Sequence, residues 1–288
     1  MRIIDNDISY KHKGKNPEVE KRLTEIRKRV VGIQNPRLLD GEKFLHLGHS
    51  QSYIEAIKQA SKETGKFYGT RFSPETYRVA TAGVGASLLG AETESFVLTR
   101  PPGHHAGYDL PNKKIGLGDC VFNNMAITAK YLRDRGKRVF VLDIDLHRGN
   151  GTQNILGDEE NIFVFDVSRK GGWPGYETSS NNCFNLELEK GTKDDTYARA
   201  LEEKLIPELE RFRPDIIGVS AGFDTDKRDV ADYLQDAEHP EDIIYFELTK
   251  KSVKKVKEII RRYPHFAILE GGYNKDSVND GVGAFVNN

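Results

Sequence analysis

The sequence predicts an α/β fold of three layers, with a central, mainly parallel sheet between two layers of helices, and three observations carry that prediction. From Ser95 onward, apolar runs of strand length alternate with helical stretches, the signature of strands joined by crossover helices. The run Val139 to Leu142 is apolar throughout, as a strand must be when both faces of its sheet are covered. Polar residues stand directly after the apolar runs, in Arg100 to His105, Asp143 to Asn150, Asp166 to Ser168, Ser220 to Asp224 and Glu270 to Tyr273. Ligands of open α/β sheets bind outside the carboxyl ends of the strands, so these segments are expected to face one crevice.

Taken in order, a short first strand is expected at Arg2 to Ile4, followed by helices over Glu18 to Val31, Gln51 to Lys62 and Thr76 to Leu89. Asn16-Pro17 reads as a helix cap followed by proline at the first helical position, and Ser73-Pro74 repeats the device. Ala and Gly crowd the end of the third helix, which points to close packing against the sheet. Later strands are expected at Phe96 to Leu98, Val139 to Leu142, Ile162 to Phe165, Ile216 to Val219 and Phe266 to Leu269. Helices fill Asn123 to Arg135, Asp194 to Phe212, Asp242 to Arg262 and Lys275 to Val286. No linker interrupts this order, and 288 residues suit one α/β domain, so residues 1–288 are expected to form a single domain.

Charge and composition narrow the function. The 43 Lys and Arg against 44 Asp and Glu leave a formal net charge of -1, which gives no electrostatic footing for nonspecific nucleic-acid binding. Cys120 and Cys183 are too few for a disulfide framework. The first residues lack the apolar segment of a signal peptide, and no apolar run approaches membrane-spanning length, so a soluble, cytoplasmic chain is expected.

The stretch from Val139 to Thr152 organises the chemistry. If the strand continues past Leu142, alternation places Asp143, Asp145 and His147 on one side and Leu142, Ile144 and Leu146 on the other. Two carboxylates and an imidazole at a buried strand end need compensation, which a divalent metal supplies; a polar strand end that merely reaches solvent needs none. His104-His105 and Asp224 are weak signals singly, and Glu270-Gly-Gly-Tyr273 could be only a tight turn that uses glycine's freedom.

Together and in this order, Arg-Pro-Pro-Gly-His-His, Asp-x-Asp-x-His-x-Gly-Asn-Gly-Thr, Ser-Ala-Gly-Phe-Asp and Glu-Gly-Gly-Tyr are specific. The chain resembles the histone deacetylase family, including its bacterial and archaeal members and the acetylpolyamine amidohydrolases. That resemblance spans nearly the whole chain. It implies the arginase-like α/β/α fold and a catalytic Zn²⁺, sometimes replaced by Fe²⁺, in an enzyme that removes an acetyl group from an N-acetylated lysine or a related amine. By position it implies Asp145, His147 and Asp224 as metal ligands, His104 and His105 as the acid/base pair, and Tyr273 as the residue that polarises the scissile carbonyl. Asp143 would orient His104, and Asn150 would lie against His105. A site for K⁺ or Na⁺ would take the backbones of Asp143, Asp145 and His147, the Ser168 hydroxyl and the Arg169 carbonyl. Gly118, Asp119, Trp173, Gly271 and Gly272 would line the substrate channel. The chemistry is coherent in itself. Three protein ligands leave a coordination position open, and two anionic ligands acidify a water less than three imidazoles would, so a separate base is needed, which His105 supplies.

Some positions depart from the family pattern. Asn150 stands where some members carry Asp, Gly69 where many have Asp, and Asn16 where a His is usual. Asp119 replaces a Phe that walls the acyl-lysine channel, with Trp173 expected across from it. An ionised Asp119 in the channel would favour a substrate with a second positive charge; turned to solvent, it would leave the channel wider and wetter. An acetylpolyamine or other small-molecule amidohydrolase fits the same residues. A noncatalytic acyl-binding protein would need no proton-transfer pair, and an arginase-type ureohydrolase would need more Asp and His ligands than these motifs provide. The expected partners are acetylated lysine proteins or acetylated amines, with no direct contact to nucleic acid or membrane.

Overall fold

The computed structural model describes residues 1–5, 7–12, 18–29, 32–111, 113, 116–175, 180–229 and 245–287. The strands among them are β1 (Arg2–Asp5), β2 (Ile33–Gln34), β3 (Gly65–Phe67), β4 (Thr70–Phe72), β5 (Ser95–Leu98), β6 (Val139–Asp143), β7 (Ile162–Arg169), β8 (Cys183–Leu188), β9 (Ile216–Ala221) and β10 (His265–Leu269). The described helices are α1 (Glu18–Arg29), α2 (Gln51–Glu63), α3 (Thr76–Glu92), α4 (Asn124–Arg133), α5 (Asn150–Leu156), α6 (Asp194–Phe212), α7 (Lys250–Ile260) and α8 (Lys275–Val286). β3 and β4 form an antiparallel hairpin, and the other 8 strands make one parallel sheet in the order β2-β1-β5-β10-β9-β6-β7-β8.

Both faces of this sheet are covered, which is why its central strands are apolar in full. Val139 and Val141 of β6 point into one core with Tyr53, Val84 and Ile127 from α2, α3 and α4. Phe140 and Leu142 point the other way, into a core with Leu201, Val256 and Phe285 from α6, α7 and α8. Each such side chain contributes roughly 1.5–3 kcal/mol by leaving water. The expected three-layer α/β architecture is therefore what the chain adopts, and the order of strands fixes the crevice. β5, β10, β9, β6 and β7 are consecutive neighbours, so the segments that leave their carboxyl ends lie side by side although they are far apart in sequence.

Several local expectations are corrected. The β6 ladder stops at Asp143, so Asp145 and His147 lie beyond the strand rather than on it. β7 runs on to Arg169 because β8 pairs with it as far as Leu188, which puts Asp166 and Ser168 inside a strand instead of after one. Ser73-Pro74 is a turn and not a cap: the Thr76 backbone N–H donates to the Ser73 carbonyl (3.0 Å), and α3 starts at Thr76. α7 begins at Lys250, capped by the Thr249 hydroxyl, because Glu247 and Leu248 are drawn into bridges with Lys193 and Asp226. Asp242, the Asn16-Pro17 cap and Val31 lie outside the described residues.

The small residues of α3 do pack against the sheet, where a Cβ at Gly90 would overlap Val97, but they also serve a second contact. The α3 backbone at Gly85 touches the Leu39 carbonyl, and Gly41 in turn touches the Thr81 carbonyl. No methyl group fits at either place. Gly85→Ala should accordingly destabilise the protein by about 1–3 kcal/mol through overpacking, read as a lower urea midpoint with an unchanged m value; a stability equal to wild type would disprove the contact.

Candidate active site

Where β6 ends, the chain satisfies its own backbone with carboxylates. Asp143 Oδ1 accepts from the Asp145 N–H (3.0 Å) and Asp145 Oδ1 from the His147 N–H (2.9 Å), two successive turns of the kind Asp side chains favour. These turns aim Asp145 and His147 inward while Ile144 and Leu146 stay in the core with Leu142. Neighbouring strands then lock the arrangement. Asp224, past β9, accepts from the Leu146 N–H through Oδ1 (3.0 Å), and Asp145 Oδ2 accepts from Gly271 N–H past β10 (2.8 Å). His147 Nδ1 lies 3.2 Å from Asp145 Oδ1 and 3.0 Å from Asp224 Oδ2, and one ligand atom from each of the three residues falls within 4.8 Å of the others.

One nitrogen and two carboxylate oxygens, converging with Asp145 only 1% and Asp224 only 4% exposed, form a donor set that fits a divalent transition metal such as Zn²⁺. Glycine is required beside it. A Cβ at Gly222 would overlap Asp145, and one at Gly271 would overlap Asp145 and stand 2.8 Å from Asp224 Oδ2. Burial, reinforced by the Asp145 charge, raises the Asp224 carboxyl above its usual range. Burial would raise Asp145 as well, but the His104 and His147 imidazoles outweigh it and hold this carboxyl well below.

His104 and His105 enter from the loop after β5, with ring centroids 3.9 Å apart. His104 Nδ1 meets Asp143 Oδ2 at 3.0 Å, whereas His105 Nδ1 meets Asn150 Oδ1, on the first residue of α5, at 2.8 Å. This difference in partner divides the pair. Burial alone would depress both imidazoles; the Asp145 and Asp143 carboxylates overcome it at His104 and hold that ring well above the ordinary histidine range. His105 has an amide in place of a carboxylate, so burial prevails, helped by the neighbouring His104 and His147, and the ring falls well below that range. Two adjacent imidazoles thus favour opposite protonation states, the pattern that separates an acid from a base.

Three carboxylates to which the sequence assigned no role in the site hold its loops. Glu270, fully buried, accepts from the Gly103 N–H (2.8 Å) and the His104 N–H (3.3 Å). Asp229 accepts from the backbones of Tyr273 (2.8 Å) and Asn274 (2.9 Å) and from the Ser277 hydroxyl (2.7 Å), which fixes the turn that carries Tyr273. Asp166 accepts from Gly149 N–H (2.8 Å), where the chain passes too close to Asp143 for any Cβ. Tyr273 is half-buried, with the buried Arg100 guanidinium 5.7 Å from its ring centre.

The residues expected along a channel fall into two groups. The Trp173 ring stands edge-on to His105 (4.4 Å between centroids) and to His147 (5.7 Å). From the opposite turn, the contact to the indole is made at Gly118, where a Cβ would lie 2.5 Å from Trp173 Cη2 and 2.7 Å from His105 Cδ2. Asp119, next in the chain, is half-buried with φ +60°. Gly271 lies against the Asp145 and Asp224 carboxylates, and Gly272 against Phe223. Arg169 donates from Nη2 to the Trp173 carbonyl (3.2 Å) and packs beneath Gly172, holding the loop that carries the indole. Ser168, fully buried, and Arg169, whose N–H donates to the Leu146 carbonyl (3.0 Å), adjoin the backbone from Asp143 to His147. Burial pushes the Asp143 carboxyl there up to about 7, opposed by His104 and reinforced by Asp166.

Residues 14–288 match the model of the Histone deacetylase domain. The chain is 33% identical to Histone deacetylase 10, chloroplastic, of Oryza sativa subsp. japonica, over 88% of this chain and 61% of that protein. It is 31% identical to an uncharacterized protein of Synechocystis sp. over 93% of this chain and 91% of that one. The chain thus spans about three fifths of the rice relative, 61% of its length, and nearly all of the cyanobacterial one. The crystal structure of the HDA15 HD domain superposes with a TM-score of 0.85 over 99% of this chain and 90% of that one, at 23% identity, which establishes the shared fold. No helix among the described residues is long and apolar enough to cross a membrane.

The hydrogen bonds at Glu270 can be tested apart from any chemistry. Glu270→Ala leaves the Gly103 and His104 N–H groups buried and unpaired, so it should lower the urea-unfolding free energy by about 1–3 kcal/mol. Glu270→Gln keeps an accepting oxygen and should recover most of the loss; equal losses in the two variants would show that the carboxylate does not hold this loop.

Proposed function

The chain belongs to the histone deacetylase family, and from that premise we propose that it is a metal-dependent amidohydrolase that removes an acetyl group from an N-acetylated lysine or a related amine, with residues 1–288 acting as one catalytic domain. The observation that supports this best is the meeting, in one crevice, of a three-residue donor set with two imidazoles of opposite protonation preference. Asp145, His147 and Asp224 would hold Zn²⁺ or Fe²⁺. Such an ion supplies Lewis-acid polarisation of the acyl carbonyl and lowers the pKa of a water.

The remaining roles belong to the chain's own side chains. His105 donates Nδ1–H to Asn150, which leaves the Nε2 lone pair free to take a proton from the attacking water. His104, steadied by Asp143, completes the pair that returns a proton to the departing amine nitrogen. The Tyr273 hydroxyl donates to the carbonyl oxygen as negative charge grows there. Trp173 and Gly118 close over His105, excluding water and gripping the methylenes of the substrate. Ser168 and Arg169, with the backbones of Asp143, Asp145 and His147, would hold K⁺ or Na⁺, a hard ion suited to carbonyl and hydroxyl oxygens.

Turnover of an acetyl-lysine peptide that disappears on metal removal and returns with Zn²⁺ or Fe²⁺ is the direct test. Tyr273→Phe keeps the ring and deletes one donor, so kcat should fall by a factor on the order of 10²–10³ with little change in KM; a raised KM at unchanged kcat would contradict the role. Trp173 is the only tryptophan in the 288 residues and abuts His147, so Zn²⁺ added to metal-free protein should change its fluorescence. Asp224→Ala should lose that response together with the metal content measured by elemental analysis, and full occupancy with normal turnover in this variant would overturn the ligand set.

A further inference from the structure

We propose that the groove between α7 and α8 binds a linear phosphate chain, free or as part of a nucleoside triphosphate. This site is independent of the catalytic reading. The groove has a volume of about 860 Å³, within the range of small-molecule pockets. One wall is a stripe of four cations on α7 and its cap, Lys250, Lys254, Lys257 and Arg261, spaced four, three and four residues apart so that they share a helix face. Arg29 at the end of α1 also lines the groove, its charge shared with Asp276. On the facing wall, α8 presents the small residues Gly283 and Ala284, which leave the space open, beside Asn279 and Asp280.

Two acids, Glu258 and Asp280, also line the groove, and among the described residues only Lys250 of the stripe is paired with either of them. Asp280 is engaged by Arg228 (3.0 Å) and more distantly by Lys250 (3.9 Å), Glu258 faces Lys255 (3.6 Å), and Asp276 pairs with Arg29 (2.6 Å). Lys254, Lys257 and Arg261 make no ion pair among the described residues. Lys257 donates to the Asn287 carbonyl (3.0 Å), and partial burial lowers its ammonium from the ordinary lysine value. Like charges on adjacent helical turns repel, and packing does not demand them here, since α7 fills the core with Val256, Ile259 and Ile260 from its opposite face. Lys254, Lys257 and Arg261 step along the axis by about 4.5 and 6 Å at 1.5 Å per residue. That spacing suits several linked phosphates rather than one anion. The formal net charge of -1 argues against a long nucleic acid as the occupant.

Calorimetric titration of the full chain with inorganic tripolyphosphate, ATP and inorganic phosphate tests the proposal. Tripolyphosphate and ATP should bind and single phosphate should not; equal affinities assign recognition to the phosphate chain alone, and tighter ATP adds the nucleoside. Lys254→Gln and Arg261→Gln, both at exposed positions, should each weaken tripolyphosphate by about tenfold or more, the loss of one charge-assisted hydrogen bond. Lys66→Gln with Arg71→Gln, exposed on the β3–β4 hairpin, should leave it unchanged. Tripolyphosphate binding no tighter than phosphate, or weakened equally by the hairpin variants, would overturn the site.

Discussion

Three buried carboxylates at the carboxyl ends of two adjacent strands are the constraint on which the rest of this molecule depends. Asp143, Asp145 and Asp224 are each no more than 4% exposed, and removing such groups from water is costly unless each finds compensation. The fold supplies it in layers. Backbone N–H groups of Asp145, His147, Leu146 and Gly271 point at the carboxylate oxygens, and the imidazoles of His104 and His147 face them. Serving the same oxygens from two strands requires close backbone approach, and the glycines at 149, 222 and 271 permit it. The donor set, the loop conformations and the glycine positions therefore answer one electrostatic demand.

The central strands were legible because burial on both faces leaves an unmistakable apolar run in β6, β9 and β10. β8 was not read, because this half-exposed edge strand lacks such a run: its Phe184-Asn-Leu-Glu-Leu188 carries only the weaker alternating pattern of a half-buried strand. α5 went unseen for a different reason: it has 7 residues, and its first, Asn150, is turned to His105 instead of advertising a helix start. Asp145 and His147 were identified correctly as neighbours, but strand alternation was the wrong cause, because side-chain turns take over once the ladder ends at Asp143. Glu270 and Asp166 were legible only as members of polar segments that face the crevice, and Asp229 not at all; the sequence carried no sign of what any of them holds. Their partners are backbone N–H groups of loops distant in sequence, and every residue but proline offers one of those.

Electrostatics inside the crevice turns on a single substitution of type. An amide at Asn150 and a carboxylate at Asp143 present similar oxygens to two touching imidazoles, yet only the carboxylate adds charge. Similar hydrogen-bond geometry thus yields unlike proton affinities in chemically identical side chains, set by their second neighbours.

The sheet order has a consequence for how the molecule comes into being. β10 follows the other nine strands in the chain yet lies inside the sheet, between β5 and β9. During synthesis on the ribosome, β5 and β9 therefore emerge before the strand that must separate them, each presenting an unpaired edge open to other chains. Glu270, which tethers the His104 loop, and the Gly271 bond to Asp145 arrive with that same insertion. Any shortened chain ending before residue 265 lacks the central strand and these tethers together, so truncation should yield an aggregation-prone fragment rather than a weakened enzyme.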